Sequence, residues 1–208
     1  MLEITPTIYI VDDDTSVRAS LHLLLESAGY EVICFNSAKE FLKFSLGSRT
    51  ACCLILDVKM PDISGIELQN ELASINNTIP IIFITGHGDI PMSVQAMKDG
   101  AVNFLSKPFD DEQLLDSVHE ALVRDIKSRK KQNEQNQIKQ KIDTLTPREN
   151  EVLRYLISGM LNKQIAYKLN ISERTVKAHR KQVLNKMCIQ SIAELVRLTE
   201  KLGITPVY

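Results

Sequence analysis

Residues 8–14 read Ile-Tyr-Ile-Val-Asp-Asp-Asp, an apolar run rich in β-branched side chains that breaks off into three carboxylates. β-Branched and aromatic residues favour strands. A run with no polar alternation marks a strand covered on both faces, the signature of a parallel sheet. The pattern recurs at Val32–Phe35, Cys53–Leu56, Ile81–Ile84 and Val102–Leu105, with starts 21 to 28 residues apart. Each gap has room for a helix. In the first gap Val17, Leu21, Leu24, Leu25 and Ala28 follow helical spacing, and Gly29 stops the run.

Strands alternating with amphipathic helices predict an α/β domain over residues 5–125: a flavodoxin-like, doubly wound, five-stranded parallel sheet of order 2-1-3-4-5. From Phe109 to Thr146 there is no Gly or Pro. Residues 126–142 are polar and rich in helix formers, so they read as a linker continuing the preceding helix. A second unit, residues 143–208, shows no strand pattern. Thr146-Pro147-Arg148-Glu149 reads as an N-cap, a proline at the first helical position and a capping-box glutamate. Further helical runs at 162–169, 173–187 and 191–202 complete an all-α, four-helix domain.

The chain has 208 residues and 44% hydrophobic residues, enough for two small cores. No apolar stretch approaches the roughly 20 residues of a membrane span, and no secretory signal pattern opens the chain, so a cytoplasmic protein is expected. Cys34, Cys52, Cys53 and Cys188 form no CxxC pattern and read as reduced core thiols. The net charge of −1 conceals an asymmetry. Residues 1–125 carry 8 basic and 19 acidic side chains, a balance of −11, whereas 126–142 and 143–208 each stand at +5. An acidic front half suits cations and phosphate chemistry, and a basic back half suits a polyanion.

In an open parallel sheet, chemistry gathers beyond the carboxyl ends of the strands at the topological switch point. There the sequence sets Asp12, Asp13 and Asp14 after the first strand, Asp57 after the third, Thr85 after the fourth and Lys107 just after the fifth. Each alone has an ordinary reading: a helix cap, a turn residue, a surface lysine. Together they would bring carboxylates, a hydroxyl and an ammonium to one crevice. Clustered carboxylates repel, and Mg²⁺, which takes a few carboxylates plus water and phosphate oxygens, offsets that repulsion. A carboxylate there can act as a nucleophile and become an acyl phosphate, with Lys107 and Thr85 facing the phosphoryl oxygens.

Ile10-Val11-Asp12-Asp13-Asp14, Leu56-Asp57-Val58-Lys59-Met60-Pro61, Ile84-Thr85-Gly86-His87 and Leu105-Ser106-Lys107-Pro108-Phe109 resemble the motifs of response-regulator receiver domains. The resemblance implies that Asp57 accepts phosphate from a sensor histidine kinase. It implies that Asp13, Asp57 and the backbone carbonyl of Lys59 ligate Mg²⁺ directly, with Asp12 acting largely through water. It implies a switch pair, Thr85 and Phe104, in which the aromatic ring turns inward as Thr85 moves toward the phosphoryl group. It also implies a cis Lys107–Pro108 bond. Gly86-His87-Gly88-Asp89-Ile90-Pro91-Met92 resembles the FixJ subgroup, whose helix starting near Asp89 borders a surface that dimerises receivers. Val94, Ala96 and Met97 are candidates for that surface, and equally for packing on the sheet.

In the basic half, Ile165, Ala166 and Leu169 form one face of a scaffold helix, Asn170 suits a left-handed turn and Ser172 caps the next helix. There Val176, Val183 and Met187 face inward, while Arg174, Lys177, Ala178, Lys181 and Asn185 share the outer face. A basic outer face on the second helix fits insertion into the major groove, although a lysine row is often no more than a solvated face. The unit resembles the LuxR-type helix-turn-helix of the NarL/FixJ family. By that resemblance Lys177, Ala178 and Lys181 approach base edges, and Lys163, Arg174, Thr175, Arg180 and Lys186 contact phosphates. His179 lies nearer the inward face and reads as structural. The final helix, Ser191–Leu202, resembles a dimerising helix, or supplies Ile192, Leu195, Val196 and Leu198 to the core.

The expected function is therefore phosphorylation-coupled dimerisation and binding of double-stranded promoter DNA, regulating and by resemblance to FixJ activating transcription, with RNA polymerase as a further partner and no enzyme activity. Two alternatives stand at this stage. The receiver could be a phosphorylation-independent dimerisation module. Alternatively Asp12-x-Asp14 could be the nucleophile loop of a haloacid-dehalogenase-like phosphatase.

Overall fold

The computed structural model describes residues 5–44, 50–86 and 90–207. Five strands, β1 (Thr7–Val11), β2 (Glu31–Phe35), β3 (Cys52–Asp57), β4 (Ile81–Thr85) and β5 (Asn103–Ser106), form one parallel sheet of order β2-β1-β3-β4-β5. Between them run α1 (Thr15–Ser27), α2 (Ala38–Lys43), α3 (Gly65–Ser74) and α4 (Ile90–Lys98). The 33-residue α5 (Asp111–Asp143) follows, then α6 (Pro147–Ile157), α7 (Asn162–Leu169), α8 (Glu173–Met187) and α9 (Ile192–Glu200). The chain falls into two compact units, Met1–Arg129 and Lys130–Tyr208. Among the described residues no helix is long and apolar enough to cross a membrane.

The period-2 alternation of strand side chains splits each strand between two cores. Tyr9, Val11, Leu54, Leu56 and Phe83 pack on one face with Phe41 of α2, Leu68 and Leu72 of α3 and Ala96 of α4. Ile8, Ile10, Ile55, Ile82 and Ile84 pack on the other with Leu21 and Leu25 of α1 and Leu114, Val118 and Leu122 of α5. Burying one such side chain stabilises by about 1.5–3 kcal/mol, so both helix layers are strongly held. α5 is also fastened by a buried carboxylate: Asp125 accepts from the Cys52 backbone N–H at 3.0 Å and from the Arg129 guanidinium.

Ile138, inside the stretch expected as linker, is buried in the core of the helical unit with Val152, Leu156, Ile165, Val183 and Leu195. Ile142 packs there too; the pair lies four residues apart, on one face of the helix. Thr146 caps α6 with Glu149 closing the capping box. Asn170 takes the left-handed conformation (φ 51°) between α7 and α8, and Ser172 caps α8. The four cysteines are free, and Cys188 is exposed rather than a core thiol because it ends α8 in a left-handed turn at the surface.

Candidate functional site

The switch point of the sheet lies where β1 and β3 meet, since their connections leave toward opposite edges. β1 delivers Asp12, almost fully buried, and β3 ends on Asp57, also buried. Sequence runs placed Asp57 and Thr85 beyond their strands; both are instead the last strand residue. Lys107, one residue past β5, donates from its backbone N–H to the Thr85 carbonyl at 2.7 Å, which sets its side chain over the crevice. Its Nζ then lies 2.8 Å from Asp12 Oδ2 and 2.9 Å from Asp57 Oδ1. The two carboxylates thus share one ammonium, and the two oxygens cannot be farther apart than those distances laid end to end.

The remaining oxygens are also engaged. Asp12 Oδ1 accepts from the Asp14 N–H at 2.8 Å, and Asp57 Oδ2 accepts from the Lys59 N–H at 2.7 Å. Asp14 does not join the pocket: its carboxylate caps α1, accepting from Ser16 and Val17. Asp13 is exposed at the rim. Burial pushes the Asp57 carboxyl above the ordinary carboxylate range; Lys107 offsets part of this, and the neighbouring Asp12 adds to it. Burial pulls the Lys107 ammonium down, but the two carboxylates outweigh it, so its net shift is upward and it stays charged.

Among the described residues no group of three or more His, Cys, Asp and Glu forms a ready-made metal cage. The donor set is nonetheless that of a hard cation keeping much of its water: two buried carboxylates, one exposed carboxylate and a backbone carbonyl, all oxygen. One ammonium stands against the two buried carboxylates, so the charge balance of the pocket leaves room for a cation.

Thr85 is buried at the same edge. Phe104 of β5 is half-buried, its ring 6.0 Å from that of Phe83. The Lys107–Pro108 bond is cis. On α4, Ala96 is fully buried and belongs to the core, whereas Val94 and Met97 are exposed. α4 starts at Ile90; His87, Gly88 and Asp89 before it lie outside the described residues. Sequence reasoning missed Arg18, whose guanidinium donates to the Asp12 carbonyl at 2.6 Å and to Thr15 Oγ1 at 3.0 Å. Only its position four residues after the Asp14 cap hinted that it could fold back on that loop.

In the helical unit Arg174, Lys177, Ala178, Lys181 and Asn185 of α8 are exposed, opposite the buried Val176, Val183 and Met187. Lys163 of α7 is exposed, Thr175 is half-buried with its hydroxyl 2.8 Å from Ser172 Oγ, and half-buried Arg180 reaches Asn162 Oδ1 only at 3.5 Å. Half-buried His179 is consistent with a structural place. The structure engages Lys186 elsewhere. It turns inward to Glu149 Oε2 at 2.7 Å and the Thr144 carbonyl at 3.1 Å, where it holds the Glu149 carboxyl below its usual range together with the Thr146 N–H. A buried carboxylate needs a partner, and Lys186 is that partner.

Comparison with known proteins places these two surfaces in a family. Residues 8–119 match the response regulator receiver domain, and residues 143–199 match the luxR family of bacterial regulatory proteins. Nodulation protein W of Bradyrhizobium diazoefficiens is 50% identical over 95% of this chain and 87% of its own. The transcriptional regulatory protein FixJ of Rhizobium meliloti is 42% identical over 96% and 98%. Among solved structures, the response regulator StyR matches with a TM-score of 0.82 and 48% identity, covering 95% of this chain and 99% of that one.

Proposed function

Since the chain belongs to the response regulators that join a receiver domain to a LuxR-type DNA-binding domain, and is thus a transcription regulator rather than an enzyme, we propose that it is switched by phosphorylation of Asp57. The observation that carries this reading is the Lys107 ammonium held between Asp57 and Asp12. A sensor histidine kinase is the donor. One oxygen of the Asp57 carboxylate attacks phosphorus, the phosphorus–nitrogen bond of the phosphohistidine breaks, and the imidazole nitrogen leaves with the electron pair. Asp57 gives up its pairing with Lys107 as its charge moves onto the phosphoryl group, and the ammonium follows the new oxygens. Thr85 donates its hydroxyl to one of them, and Phe104 turns into the space this vacates. Asp13, Asp57 and the Lys59 carbonyl would hold Mg²⁺ directly and Asp12 largely through water, and the ion would supply positive charge beside the two buried acids.

The switched receiver pairs with a second copy through the exposed side of α4, including Val94 and Met97, which lets two α8 helices reach adjacent half-sites in cytoplasmic DNA. Lys177, Ala178 and Lys181 read base edges. Lys163, Arg174, Thr175 and Arg180 hold phosphates, which position without specifying. Lys186 serves the scaffold first, since reaching a phosphate would strip Glu149 of its partner. The bound dimer activates transcription through RNA polymerase. The test is sedimentation and operator titration with and without beryllofluoride and Mg²⁺. Dimerisation and tighter DNA binding with the phosphoryl mimic support the reading, and unchanged behaviour refutes the coupling.

A further inference from the structure

Gly65, the first residue of α3, has an ordinary backbone conformation, so its angles alone would admit any residue. Space would not. A Cβ built on Gly65 would sit 2.3 Å from the backbone oxygen of Asp57, and 3.1 Å from both Leu56 Cγ and Val58 Cα. The first of these neighbours is backbone and cannot swing aside as a side chain would.

That backbone is the segment that carries the acceptor. Val58 N–H donates to the Ile84 carbonyl at 3.1 Å, and Gly65 N–H donates to the Val58 carbonyl at 3.0 Å. The Lys59 N–H in turn fixes Asp57 Oδ2. The peptide planes from 57 to 59 are therefore clamped between β4 and the start of α3, with Gly65 flush against one side. Any side chain at 65 must push the Asp57 carbonyl, and with it the Lys59 N–H and the aim of the carboxylate toward Lys107.

We propose that Gly65 is a positioning residue for phosphoryl transfer: its missing side chain lets α3 close on the Asp57 backbone and so sets the direction of the acceptor carboxylate and of the Lys59 carbonyl. The inference rests on the reading of Asp57 as phosphoacceptor. It differs from a mere packing role, because the cost of filling the space falls on acceptor geometry more than on the fold.

Gly65→Ala tests it, beside Gly29→Ala as a control. Gly29 sits at φ +87° with nothing within 4 Å of a built Cβ, so alanine there strains the chain far from any acidic residue of the pocket. The readouts are the phosphorylation rate with acetyl phosphate, Mg²⁺ affinity of the unphosphorylated protein by calorimetry, and the melting temperature. Gly65→Ala is expected to slow phosphorylation on the order of 10²-fold and to weaken Mg²⁺ binding about 10- to 100-fold. Gly29→Ala, matched for loss of melting temperature, should behave as the unmodified protein in both. If Gly65→Ala does not fold in plain buffer, the same measurements are made in trimethylamine N-oxide, which favours the folded state. Folded Gly65→Ala that takes phosphate and Mg²⁺ as the unmodified protein does would overturn the proposal, as would equal losses in the Gly29→Ala control. Asp57→Asn is run alongside: labelling that survives it sinks the phosphoacceptor reading itself, whatever Gly65 does.

Discussion

Lys107 Nζ lies 2.9 Å from Asp57 Oδ1 although fifty positions separate the residues along the chain. Two strands, β3 and β5, must end at the same edge of the sheet for this pair to form, with β4 between them. Lys107→Met should remove the fixed positive charge that meets the phosphoryl oxygens. Losing one preorganised electrostatic group costs about 10²–10³ in rate, so phosphorylation by acetyl phosphate should slow by that order while the sheet still folds. Rates from intact-protein mass spectrometry, with circular dichroism as the fold check, decide it.

The Asp57 carboxyl titrates above its ordinary 3.8 because of burial, with Lys107 opposing. That upward shift belongs to the Mg²⁺-free protein, since a bound cation would draw the carboxyl back down. Without Mg²⁺ the inflection should lie above 3.8 in the unmodified protein and move further up in Lys107→Met. A pH titration of the residue 57 carboxyl by NMR, in the presence of a chelator, gives both positions.

Glu149 and Lys186 should stabilise the helical unit. Hydrogen bonds to charged groups contribute about 1.5–3 kcal/mol, so Lys186→Met should lower the melting temperature of residues 130–208. The folded Glu149 carboxyl lies below its ordinary 4.5. Its contribution is therefore complete above that value and is lost as pH falls through the lowered one. Denaturant titrations across this range should show the acid-side loss in the unmodified protein and a flatter dependence in Lys186→Met.

On DNA the exposed residues of α7 and α8 should separate into two kinds of contact. Lys163→Ala should weaken all sequences alike and reduce the slope of log affinity against log salt by about 1. Lys181→Ala should also relax the preference for the operator, by about 1–3 kcal/mol at one base pair. Fluorescence anisotropy with operator and scrambled duplexes at several salt concentrations distinguishes them.

Asp57 and Thr85 were legible in the sequence because each directly follows an apolar run, and Lys107 because it stands just after one; a parallel sheet brings such run ends to one edge. The strand order followed from the same pattern, and the family from the resemblance of the motifs around these residues. The Asp triplet was only partly legible. A run of three identical acids does not say which is buried, and the structure gives Asp12 to the pocket, Asp13 to the rim and Asp14 to the cap of α1. Lys186 was given a phosphate contact by resemblance alone, yet it adjoins the inward Met187, and a buried carboxylate thirty-seven positions away draws it in. Asp125 and Gly65 left no periodic trace, because their roles depend on an N–H or a carbonyl that the folded chain brings near; Arg18 left only the hint of its place one turn after the Asp14 cap.

The most direct measurement is intact-protein and peptide mass spectrometry after acetyl phosphate and Mg²⁺, on the unmodified chain and on Asp57→Asn. One added phosphoryl group on the peptide carrying residue 57, absent from Asp57→Asn, is the result expected. Undiminished labelling of Asp57→Asn, or a phosphoryl group found on Asp12 instead, would contradict the account.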